Sequence, residues 1–284
     1  MLPRWAVEGK SASPCGLGNG EESNKIKRVP THRGPSTDLA ASIPRFDRET
    51  LDTFHKGRVV VRQKKNGYRF ALDAPLLADF IRTKPGETLL ELGTGSGIVA
   101  LLLGRRRFAH LTALEIQPSL AALARRNVRL NGLQDRITVV QADLRRFRPS
   151  RRLDVVFSNP PYIRKGTGFL SPSAEKSVAK HEIKCDILEV MQATSRCLER
   201  GGRAYFVYPA ERSGDFDGAA GASGLHVRRR RFVHPRPGEP AALFLAECRH
   251  GRGPCRTAAP LVLRGADGLD TPEARRIYEG RRRA

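Results

Sequence analysis

The sequence is poor in several features whose absence narrows its class. Its five cysteines, Cys15, Cys185, Cys197, Cys248 and Cys255, are odd in number, form no CxxC pair and meet no histidine at a spacing that suits zinc. That argues against a disulfide framework and a structural metal. No apolar run approaches the ~20 residues that span a bilayer, and the amino terminus MLPRWAVEGK lacks the apolar stretch of a secretory signal. A reducing cytoplasm is the expected compartment, with no membrane partner and a monomer as the default state. Tryptophan occurs once, at Trp5, in a region without pattern. Lysine is scarce, at 11 positions against 40 arginines, and acidic residues are outnumbered 29 to 51, so the 284 residues carry a net +22. A field of that sign attracts phosphate polyanions or anionic surfaces, although an arginine excess also arises from a genome rich in G and C. Residues 1–56 carry +2, residues 57–165 carry +13 and residues 166–284 carry +7, so the excess sits on the patterned part of the chain.

Residues 1–46 are rich in Gly, Ser, Pro and Asn and hold no sustained period, which predicts a disordered extension ahead of one domain over 47–284. The β-branched run Arg58–Arg62 reads as a strand, Asn66-Gly67 as a hairpin turn after it, and Ala74–Ile81 as a helix. Strand and helix then alternate. Strands are expected at Thr88–Leu92, Leu111–Glu115, Ile137–Gln141, Asp154–Ser158 and Ala204–Tyr208, and helices at Ile98–Arg105, Pro118–Leu130 and about Asp186–Leu198. Such alternation is the signature of a parallel sheet covered on both faces. Leu225–Val233 and Ala241–Glu247 have no helix between them and so must pair antiparallel. The fold class is α/β: a Rossmann-like, mostly parallel sheet of seven strands, closed by an antiparallel hairpin.

Glu91-Leu92-Gly93-Thr94-Gly95-Ser96-Gly97 joins the first of these strands to its helix, where open α/β sheets bind ligands. Glycines there permit positive φ and close ligand approach, and the helix start offers free N–H groups. Glu115 ends the next strand, 22 residues after Gly93, where a carboxylate can accept both hydroxyls of a ribose. These two features fit a nicotinamide dinucleotide or S-adenosylmethionine. Glu91 favours the second, since a carboxylate in the turn would repel a pyrophosphate and suit a cationic amino-acid moiety. Asp143, after the third strand, could accept from an adenine amine or cap a helical turn.

Ser158-Asn159-Pro160-Pro161-Tyr162 follows the apolar strand Asp154–Phe157. Two prolines stiffen the loop and remove two donors, leaving acceptors. The Asn159 side-chain oxygen and the Pro160 carbonyl can each take one hydrogen of a planar NH₂ group. An amine of that kind is a poor nucleophile because its lone pair is delocalised. Two converging acceptors favour pyramidalisation and aim the lone pair at an electrophile. Tyr162 can stack on the flat group that carries the nitrogen.

On these residues the sequence resembles class I S-adenosylmethionine-dependent methyltransferases that modify amino nitrogens. Tyr68–Ala78, the ELGTGSG turn, SNPPY with Gly166-Thr167-Gly168, and Lys180-His181-Glu182 resemble the family of tRNA(Val) adenine-N6 methyltransferases that act beside the anticodon. The resemblance spans about residues 50–280. It implies S-adenosyl-L-methionine at Gly93, Gly95, Gly97, Glu115 and Asp143, with Glu91 in the turn, and amine positioning by Asn159, Pro160 and Tyr162. It also places Asp73 beside the cofactor; the cap of the helix starting at Ala74 is the alternative role. A tRNA is the implied partner, and no metal is implied.

Other acceptors stay open. A protein glutamine amide presents the same two hydrogens, but glutamine methyltransferases carry a helical domain ahead of the glycine turn, where this chain is unpatterned. Adenine of rRNA or DNA also fits the loop. A dinucleotide-dependent oxidoreductase is disfavoured by the GxGxG spacing, and a non-catalytic RNA-binding module has no use for Asn159 beside two prolines. The segment from Ile163 to Ala179 reads as a loop over the substrate site, and His181 as a loop-positioning residue rather than a base. Arg228–Arg231 read as a solvated edge with phosphate contacts, and Arg105–Arg107 as partners of a helix dipole.

Overall fold

Five parallel strands, with the chain crossing between them, set the frame. The structure, a computed structural model, describes residues 49–64, 73–160 and 185–280; the extension over 1–46, the Asn66-Gly67 turn, Pro161, Tyr162, Gly166–Gly168 and His181 lie outside the described residues. The chain runs β1 (Glu49–Phe54), β2 (Val59–Lys64), α1 (Asp73–Phe80), β3 (Thr88–Leu92), α2 (Ile98–Leu103), β4 (His110–Glu115), α3 (Pro118–Leu130), β5 (Ile137–Gln141) and β6 (Leu153–Ser158). It continues through α4 (Ile187–Cys197), β7 (Leu198–Pro209), α5 (Ser213–Ala222), β8 (Leu225–His234), β9 (Leu243–His250), β10 (Arg256–Thr257), β11 (Leu261–Val262) and α6 (Pro272–Tyr278).

The main sheet has the order β10-β8-β9-β7-β6-β3-β4-β5, with β11 also on β8. β6, β3, β4, β5 and β7 pair in parallel, whereas β9 runs antiparallel to both β7 and β8. The seven strands expected from the sequence are all present. Two further strands of two residues each bring the sheet to nine. The chain goes from β3 outward to β5 and then returns to β6 on the other side of β3. That reversal creates the switch point at which open α/β sheets leave a crevice.

Alternation along the strands sorts the two faces. Leu90, Leu92, Val156, Phe206 and Tyr208 form one core with Val190 and Met191 of α4 and Phe216 of α5. On the other face Phe80 of α1 meets Tyr205 edge-on at 6.0 Å between ring centroids. β7 begins earlier than the run Ala204–Tyr208 suggests, directly after Cys197, and includes Gly201-Gly202. α2 stops at Leu103, so Arg105–Arg107 follow the helix rather than sit in its last turn.

Two regions depart from expectation. The hairpin partner of β2 precedes it: β1 pairs antiparallel with β2 through a turn in which His55, Lys56 and Gly57 all have positive φ. The hairpin is fixed to α3 by two asparagines one helical turn apart. Asn127 Oδ1 accepts from Arg62 N at 2.9 Å while its Nδ2 donates to Arg62 O at 3.0 Å, and Asn131 does the same for Val60 at 2.9 and 2.7 Å. Two side-chain amides thus stand in for a neighbouring strand. Arg228–Arg231 are not a solvated edge. β10 and β11 cover β8, a bulge lies between Val227 and Arg229, and three of the four arginines are paired internally. Arg229 bonds Glu247, Arg230 bonds Asp217 and Arg231 bonds Glu273.

Candidate active site

The glycine turn leaves β3 and enters α2 at the switch point. Gly93, Gly95 and Gly97 have φ of 74°, 58° and 89°, a region that disfavours any side chain. A Cβ at Gly93 would meet nothing within 4 Å, whereas one at Gly97 would lie 3.5 Å from Ala124 on α3. Gly93 thus faces open space and Gly97 allows close helix packing. The turn is held by Thr94 N donating to Leu114 O at 2.8 Å and Gly95 N to Glu115 Oε2 at 2.8 Å. Asn127 Nδ2 also donates to Ser96 O at 2.9 Å, so the amide that fixes the hairpin fixes the turn.

Beside the turn opens a cleft with an empty volume of about 860 Å³, part of it continuous with solvent. Gly93, Gly95, Glu115, Asp143 and Asn159 all line it. The sequence pattern had singled out each of them, and the fold brings them together from the ends of β3, β4, β5 and β6. Apolar walls come from Leu92, Leu114, Ile116, Leu120, Leu144 and Val190. The signal for two of these was adjacency alone, since Ile116 follows Glu115 and Leu144 follows Asp143.

Glu115 is buried, and its second oxygen accepts from Gln117 N at 2.9 Å. Burial pushes its carboxyl pKa up against those amide hydrogen bonds. Asp143 is gripped by Arg145, whose Nη2 donates at 2.7 Å and whose backbone N donates at 2.9 Å, and this holds its pKa below the ordinary range. Ser158 Oγ donates to Leu92 O at 2.7 Å, which ties the end of β6 to the end of β3 and sets Asn159 beside the turn. Pro160 follows, buried.

Two expected residues stand elsewhere. Glu91 does not line the cleft: its neighbours Leu90 and Leu92 face α4, so alternation sends Glu91 to the opposite face. There it is buried, accepts from Thr94 Oγ1 at 2.6 Å, and has a pKa pushed up by burial to about 8. Its bond to Thr94 braces the turn. Asp73 opens α1 as its first residue, also buried, and is not among the residues lining the cleft. Among the described residues no group of three His, Cys, Asp or Glu could hold a metal ion, and no helix is long and apolar enough to cross a membrane.

A family model described as methyltransferase small domain matches residues 69–212, half the chain. The chain belongs to this family of methyltransferases. Its cofactor is S-adenosylmethionine. Similar relatives include a tRNA1(Val) (adenine(37)-N6)-methyltransferase of Phocaeicola vulgatus, 31% identical over 61% of this chain and 74% of that protein. A protein of the same name from Tolumonas auensis is 27% identical over 79% of this chain and 92% of its own length. Among solved structures, that of a predicted O-methyltransferase from Agrobacterium tumefaciens superposes with a TM-score of 0.59 at 23% identity, covering 74% of this chain and 97% of that one. The last likeness concerns the fold. The cleft suits the cofactor of these methyltransferases: apolar walls for a flat ring, two carboxylates, Glu115 and Asp143, for hydroxyl and amine donors, and a Cβ-free surface at Gly93.

Proposed function

We propose that this methyltransferase acts on the exocyclic N6 of an adenine in tRNA, at the position beside the anticodon. The observation that carries the reading is the placement of Asn159 in the cofactor cleft, at the end of a strand hydrogen-bonded to the strand that carries the glycine turn. The names of the relatives from Phocaeicola vulgatus and Tolumonas auensis support the choice of acceptor. Glu115 would hold the ribose hydroxyls, and Asp143, whose two oxygens take four contacts from Arg145, would exchange one of them for the adenine amine of the cofactor. When bound, the cofactor supplies a methyl group made electrophilic by a positively charged sulfur.

The chain's own part is to make a weak nucleophile competent. The Asn159 carbonyl and the Pro160 carbonyl accept the two hydrogens of the substrate amine and turn its lone pair out of conjugation. No strong base is needed, because the proton is lost readily once the nitrogen is cationic. For Tyr162, which lies outside the described residues, the role proposed is to stack on the base. Residues 49–64, ahead of the glycine turn, form the β1–β2 hairpin rather than the helices that a glutamine methyltransferase is expected to carry there, which supports a nucleic-acid acceptor.

Incubation with labelled S-adenosylmethionine and, in parallel, total tRNA, rRNA, DNA or release-factor protein separates the acceptors. N6-methyladenosine in tRNA is expected by nucleoside mass spectrometry; label found only in protein overturns the assignment. Asn159→Ala should lower kcat by about 10²- to 10³-fold, the cost of removing one preorganised polar partner, with cofactor affinity unchanged by calorimetry.

A further inference from the structure

Between β5 and β6 the crossover carries no helix. Residues 142–152 run from the carboxyl end of one strand back to the amino end of the other, across the α4 face of the sheet, a path of about 20 Å for strands of this length. Leu144 and Phe147 turn inward onto the core that α4 completes. Arg145, Arg146, Arg148, Arg151 and Arg152 are exposed. The segment is braced from beneath: Arg196 of α4 donates to Leu144 O at 2.8 Å and Arg145 O at 3.1 Å, and Asp143 O accepts from Arg146 N and Phe147 N at 3.0 and 2.9 Å.

The charges on this stripe are close together, and the carboxylates that face them are Asp143 and Glu189 at Arg145, Asp143 near Arg146 and Asp154 near Arg151. Burial, and then the charge of Arg148, push the Arg196 guanidinium pKa down. The Cys197 thiol, raised by burial, feels Arg196, Arg148 and Arg152 together. Arg145 pairs with Asp143 and Glu189, whereas Arg146, Arg148, Arg151 and Arg152 make no ion pair among the described residues. Elsewhere the pattern differs, as on β8, where three consecutive arginines are each matched by a carboxylate. Uncompensated like charge raises the energy of the folded chain and draws in a polyanion. The guanidinium fork suits phosphate oxygens better than an ammonium does, and no lysine occurs in the segment. At its upper end the stripe meets the cleft, through Asp143, Leu144 and Arg145.

We propose that the crossover 144–152 is the track on which the phosphodiester backbone of the substrate RNA lies, leading from the surface to the cleft; this rests on the tRNA reading above. Arg146, Arg151 and Arg152 are the phosphate contacts. Arg148, which also donates to Arg145 O and Phe147 O at 3.1 and 3.0 Å, shapes the loop. The triple variant Arg146→Gln, Arg151→Gln, Arg152→Gln tests the track against a control of equal charge change, Arg107→Gln, Arg129→Gln, Arg275→Gln.

Binding of fluorescent tRNA over a salt series should give a slope of log affinity against log salt that is shallower by about two to three in the triple variant, about one per lost contact. The tRNA KM should rise about tenfold or more at ~0.1 M salt, with kcat and the cofactor KM unchanged, and the control should behave as wild type. A triple variant that keeps the wild-type slope and tRNA KM overturns the track. So does one that loses affinity for phosphatidylserine vesicles but not for tRNA. The two readings fail separately: wild type that binds tRNA through these arginines yet labels none sinks the methylation reading alone, and wild type that labels tRNA while the triple variant is unaffected sinks the track alone.

Discussion

Glu91 shows what a single carboxyl group does when a glycine turn is built over it. In the unfolded chain its pKa is near 4.5, and in the fold burial takes it to about 8, so between these values the folded protein holds a proton that the unfolded chain does not. Stability from this group is therefore full below about pH 4.5 and is lost as pH rises through 8. Urea unfolding of wild type and Glu91→Gln from pH 5 to pH 9 should show wild type losing stability relative to the variant up to about pH 8 and levelling off above it, whereas a difference that stays constant over this range would mean that Glu91 is ionised in the fold. The presence of a carboxylate in the turn was legible in the sequence, but the face it occupies follows from strand alternation, which motif matching ignores. Glu115, Asp143 and Asn159 were legible for the opposite reason. Each stands at a strand end, where the fold leaves one direction open, and all three reach the cleft.

Among the elements, the asparagine clamp offers the sharpest test. Asn127→Ala strips partners from the N–H and C=O of Arg62 and from Ser96 O, all in buried surroundings. Leaving such groups unpaired should cost about 2–4 kcal/mol in urea unfolding. Amide exchange should quicken first at Val60 and Arg62, ahead of β3 and β6; uniform loss of protection would show that the hairpin opens only with the whole domain. Strong periods made β3, α2, β4, α3, β5 and β6 readable from the chain alone. β1 is only half-buried and owes its strand to pairing with β2, so no local pattern announces it. α5, SGDFDGAAGA, offers Phe216 as its one large apolar anchor, and β10 and β11 are two-residue pairings recruited by β8. The arginine run on β8 misled because charge in a sequence does not show whether carboxylates elsewhere will answer it.

At the scale of the molecule, ligand linkage gives the simplest check on the site. S-adenosylmethionine at about 100 times its dissociation constant should add about 2.7 kcal/mol and raise Tm by about 5–10 °C, while NAD at equal concentration should leave Tm unchanged. A shift with NAD alone would reverse the assignment of the cleft. The net charge of +22 was visible at once, yet its use was not, because ion pairs answer part of it inside the fold and leave a local remainder on one crossover. The bond from Ser158 Oγ to Leu92 O has a different consequence. It joins, at their last residues, the strand that carries the glycine turn and the strand that leads to Asn159, so, on the function proposed above, thermal displacement of the donor's end carries the acceptor's along. The spread of donor–acceptor separations is then inherited from the stiffness of a sheet, and loops on either side are free to vary, exchange substrates or fold late without widening it.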